Sequence, residues 1–66
     1  MTEAQDIKAS KELGTEQWYF VGFDGTNEDG EHKIYETDKG DLFAVNQKTG
    51  KMSFEVYSEN NVFMVY

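Results

Sequence analysis

The sequence predicts an α+β fold, mostly β, in which a short N-terminal helix precedes a five-stranded antiparallel meander that is strongly curled or forms a small open barrel. Three observations predict it. Only residues 2–13 carry helix signals, with capping residue types at both ends. From residue 17 onward, short aromatic and β-branched runs alternate with clusters of Gly, Asn and Asp. The connections between those runs are too short for crossovers, which leaves hairpins.

Thr2 is placed to cap the helix, and Glu3 and Asp6 fall in the first turn, where the helix dipole favours acids. Lys8 and Lys11 lie toward the other end, and Gly14 stands where a left-handed glycine stops a helix. Ala4, Ile7 and Leu13 make only a thin apolar stripe, so this helix must dock or fray. The expected organisation is one domain, 1–66, with residues 1–14 as a helix or a partly disordered arm and 17–66 as the antiparallel sheet. A chain of this length buries only about 60% of its unfolded surface, which predicts modest stability.

The first expected strand is QWYFVGFD, followed by the loop segment DGTNEDGE. HKIYET, LFAVN, KMSFEVY and VFMVY are the next four, separated by the turns DKGD, QKTG and SENN. KMSFEVY alternates cleanly, with Met52, Phe54 and Val56 on one side and Lys51, Ser53, Glu55 and Tyr57 on the other. The first, third and fifth runs are apolar on both sides, more than one short helix can cover. Either the sheet curls on itself or an apolar surface is left for a partner. Gly22, inside the first run, marks a bend or bulge.

Composition narrows the function. Thirteen acidic residues face six lysines and no arginine, for a net charge of −7, which disfavours direct nucleic-acid binding and suits a basic protein partner. There is no cysteine and a single histidine, so no disulfide, thiol nucleophile or well-specified zinc site is expected. No cofactor or metal is expected. The N-terminus has no signal-peptide pattern, and no run approaches the roughly 20 apolar residues of a membrane span, so a cytoplasmic protein is expected.

The segment Gly40-Asp41-Leu42-Phe43-Ala44-Val45-Asn46-Gln47-Lys48-Thr49-Gly50-Lys51 reads as a strand, an Asn-led turn and a left-handed glycine. It resembles hairpins of quinoprotein propeller blades, cadherin domains and PepSY domains; the resemblance implies a hairpin and carries no function. In the loop from Gly25 to Glu36, Asn27, Asp29, Gly30 and Glu36 match positions of an EF-hand spacing, but Gly25 stands where an aspartate is needed, so a solvated acidic loop is expected. His32 is expected as an exposed strand residue. Ser53 and Ser58 lack the context of a nucleophile elbow, and no catalytic residue is expected.

The expectation is therefore a small acidic, non-enzymatic protein-binding domain. Asp24, Glu28, Asp29, Glu31, Glu36, Asp38 and Asp41 concentrate negative charge against only Lys33 and Lys39. Such a surface suits an inhibitor that mimics DNA charge and occupies the nucleic-acid-binding surface of a target, as small phage and mobile-element proteins do. Tyr19, Tyr35 and Tyr57 are expected opposite the main core stripe, as aromatic partner contacts. The alternative is a homodimer or assembly module that uses the tyrosine face or the terminal strand VFMVY, which carries no charge or proline to protect an edge.

Overall fold

A computed structural model describes residues 1–25 and 30–66. Its elements are α1 (Glu3–Leu13), β1 (Trp18–Phe23), β2 (His32–Thr37), β3 (Leu42–Asn46), β4 (Met52–Ser53), β5 (Val56–Glu59) and β6 (Val62–Val65). The helix and the antiparallel, strand-rich character match expectation. The single five-stranded curled sheet does not form. Strands β1-β2-β3-β4 make one four-stranded sheet, and β5-β6 make a separate two-stranded one.

The split falls within the expected fourth strand. At Phe54–Glu55 the chain leaves the ladder: Ser53 Oγ accepts the Glu55 N–H at 3.4 Å, a local side-chain bond that competes with strand pairing. Phe54 then packs against the same core as Met52, and Val56 begins the second sheet. Asn60 and Asn61, at φ 53° and 65°, form the two-residue left-handed turn of the β5–β6 hairpin.

The Thr2 cap forms as a full capping box. Gln5 N–H donates to Thr2 Oγ1 at 3.2 Å, and Thr2 N–H donates to Gln5 Oε1 at 2.9 Å. Gly14, at φ 69°, closes the helix with its N–H on Ser10 O at 2.9 Å. The docked stripe differs from expectation. Ala9 is fully buried and Leu13 packs beside it, whereas Ala4 is exposed and Ile7 is 62% exposed. A small residue at the contact lets the helix approach the sheet closely, and Gln5 Nε2 anchors it further by donating to Gly50 O at 3.1 Å.

Register explains how strands with two apolar sides are covered. Phe20, Tyr35 and Phe43 are cross-strand partners on the helix side, and Val45 and Met52 pair there too. Phe43 is the centre of this core, with the rings of Trp18, Tyr35 and Phe54 at 5.6, 5.3 and 6.0 Å. Ile34 and Ala44 point to the opposite side yet are fully buried. That side is where the second sheet lies: Phe63 sits over Gly22, where an added Cβ would come within 3.4 Å of its ring. Gly22, at φ 149°, adjoins the bulge that shifts the β1–β2 register after Phe20, as the sequence suggested. Helix on one face and hairpin on the other thus replace closure into a barrel.

Two turns hold the sheet ends. Thr37 is buried, and its Oγ1 accepts the N–H groups of Lys39 and Asp41 at 3.2 and 3.1 Å. Asn46 Oδ1 accepts those of Lys48 and Thr49 at 2.8 and 3.0 Å, ahead of Gly50 at φ 75°, which is the turn its motif predicts. Among the described residues no helix is long and apolar enough to cross a membrane.

Candidate functional site

The strand register disperses the acidic residues that the sequence brings close. Asp24 and Glu31 lie at one end of β2, beside the β3–β4 turn, where Glu31 Oε1 accepts Asn46 Nδ2–H at 3.1 Å. Asp38 and Asp41 are exposed in the β2–β3 turn at the other end, roughly 20 Å away at the ordinary rise per strand residue. Glu36 lies between them on the face opposite the helix, cross-strand from Tyr19. Glu28 and Asp29, with Asn27 of the EF-hand spacing, lie outside the described residues.

Asp24 is half-buried and committed. Its Oδ1 accepts the His32 backbone N–H at 2.6 Å, and its Oδ2 meets His32 Nδ1 at 2.9 Å. Together with the Asp24 N–H on His32 O at 3.1 Å, these bonds clasp the mouth of the β1–β2 hairpin. His32 is therefore partly enclosed and not the exposed strand residue expected. Asp24, Glu31 and His32 offer one donor atom each within 4.8 Å of one another, a trio that sequence spacing alone did not group. In the structure both Asp24 oxygens are engaged by His32 and Glu31 is bonded to Asn46, so Asp24 and His32 act as a clasp. Ser53 Oγ donates to Tyr66 O at 3.2 Å and Ser58 is exposed on β5, so neither hydroxyl is bonded to His32.

The tyrosines also part company. Tyr19 is 55% exposed, and its hydroxyl donates to the Glu36 carboxylate. That hydrogen bond, followed by slight desolvation and the nearby negative charge, raises the Tyr19 pKa above its ordinary value. Tyr57 stacks on Tyr66, with ring centroids 4.8 Å apart, and their hydroxyls share a hydrogen bond that raises the Tyr57 pKa. Tyr35 is on the helix side, stacked on Phe43, and belongs to the core; expecting it opposite the core was wrong, because the register pairs it with Phe20 and Phe43.

The terminal strand is covered at one point of its outer edge. β6 pairs with β5, and Phe63 O accepts the Gly25 N–H at 3.3 Å. The outer strands of the larger sheet are β1 and the two-residue β4. Phe20 on β1 is 48% exposed. Beside it runs an open groove of about 710 Å3 between the helix and the strand, lined by Asp6, Ile7, Ser10, Lys11, Glu16 and Trp18. The uncharged run from Gln17 to Phe23 is the sequence signal for this edge. Comparisons with protein-family models, curated proteins and solved structures return no match.

Proposed function

We propose that this chain is a non-enzymatic, acidic protein-binding domain that engages a basic surface of another protein. One observation carries the reading: among the described residues the carboxylates are not paired with the protein's own lysines. Among the described residues, no lysine lies within 4.0 Å of a carboxylate, and the one close acid–base contact is Asp24 with His32. Exposed carboxylates at Glu31, Asp38 and Asp41 thus present their charge to solvent at two ends of the sheet. A field of one sign steers an oppositely charged partner and raises its association rate. A target whose basic surface binds nucleic acid fits this charge, and the antagonist role follows if the target's nucleic acid is displaced. The cysteine-free composition suits a reducing compartment such as the cytoplasm.

Affinity capture on the immobilised chain, eluted with a salt gradient and identified by mass spectrometry, tests this. Partners of high isoelectric point that elute at moderate salt are expected, and Glu31→Lys with Asp38→Lys should weaken their retention. Retention indifferent to both salt and these substitutions would rule out the electrostatic reading.

A further inference from the structure

We infer that the outer edge of β1, with the groove beside it, receives an extended basic segment of the partner as an added fifth strand of the larger sheet. This rests on the reading above and locates its contact. Asp38 N–H donates to Gln17 O at 3.1 Å, and Tyr19 pairs with Glu36. Antiparallel alternation then directs the N–H and C=O of Trp18 and Phe20 away from β2, off the sheet. Among the described residues no strand pairs with that side of β1. Edges of this kind are ordinarily protected by charge or proline, and Gln17–Phe23 contains neither. The bulge after Phe20 bends the strand and confines the open ladder to its first half.

The side chains around this edge fit an alternating strand. Phe20 lies on the helix side and Tyr19 on the other, both half-exposed, so an added strand finds an aromatic ring on each face. Ile7 and Trp18 give the adjacent groove an apolar floor, and Ile7 is spare for this role because the helix docks through Ala9 and Leu13 instead. Charge selects the occupant. Asp6 and Glu16 face the groove against Lys11, and Asp24 follows the strand's far end. A lysine- or arginine-bearing segment is attracted by these acids and by the net charge of −7. A second copy is not: each copy carries a net charge of −7, and two such chains repel.

The test uses the whole chain and two synthetic peptides of about seven residues, one alternating lysine with valine, the other glutamate with valine. The lysine peptide is expected to bind at least about fivefold more weakly in 300 mM than in 50 mM salt, and the glutamate peptide not to bind. Amide NMR signals of Trp18 and Phe20 should shift, and their N–H groups should exchange more slowly. Ile7→Glu separates docking from general attraction. It makes the chain more acidic at an exposed helix position, yet it should weaken the lysine peptide at least about threefold, where charge alone predicts tightening. Binding of the lysine peptide with shifts confined to Glu31, Asp38 and Asp41 would leave the acidic-domain reading standing and sink the edge site. Absence of binding by the lysine peptide would sink both. A dimer in sedimentation that protects Trp18 and Phe20 would give the edge to a second copy and overturn the proposal.

Discussion

Phe43 is the largest fully buried side chain among the described residues, and three aromatic rings converge on it. Truncation to alanine costs about 3–5 kcal/mol at such a site. Domains this small rarely hold more than that in total. Phe43→Ala is therefore expected to be largely unfolded at 25 °C by near-UV circular dichroism, whereas Phe20→Ala, at a half-exposed ring, should remain folded. Tyr19 offers a second test at this scale. Its hydroxyl donates to Glu36, so the folded state holds the phenolic proton more firmly than the unfolded chain does. The sign follows: that contribution is complete below the unfolded tyrosine value near 10 and is lost as pH rises through the higher folded one. In a spectrophotometric titration Tyr19 should ionise after an ordinary tyrosine, and Glu36→Gln should bring it down.

The elements show where local signals suffice and where they do not. Thr2, Gly14, Asn46 and Gly50 are read correctly from sequence because caps and tight turns are set within a few residues. The helix's buried side is not, because it is mostly polar. Gln5, Asp6, Ala9, Ser10 and Leu13 share the covered stripe, so apolar spacing had little to report, and Ile7 misled it. A direct comparison follows. Ala9→Leu should cost about 1–3 kcal/mol through overpacking, while Ile7→Ala should shift the urea midpoint little. The break at Phe54–Glu55 was hidden for another reason. Its alternation is intact in sequence, and only the Ser53 and Tyr66 hydrogen bonds divert it. The candidate surfaces were less legible still. The acids run close together in sequence, but a six-residue strand separates them in space. The clasp of Asp24 and His32 needs the hairpin register, which no spacing rule supplies.

At the scale of the whole molecule, an excess of seven negative charges, with no lysine within 4.0 Å of a carboxylate among the described residues, must repel itself. Added salt should therefore stabilise the fold, and the urea midpoint should rise between about 10 and 150 mM sodium chloride, where the screening length falls to about 8 Å. No rise would mean that repulsion among the carboxylates does not limit the stability of the fold. The two-sheet arrangement has a further consequence. Among the described residues the seam between the sheets includes Phe63 over Gly22, a backbone bond from Gly25 to Phe63, the Ser53–Tyr66 bond and the packing of β3 against β5. If thermal motion parts that seam, the larger sheet keeps its helix and its aromatic centre, but Ile34 and Ala44 meet water. The first misstep toward aggregation thus begins at the C-terminal flap, and a covalent tether across the seam would protect the protein better than reinforcement of its helix.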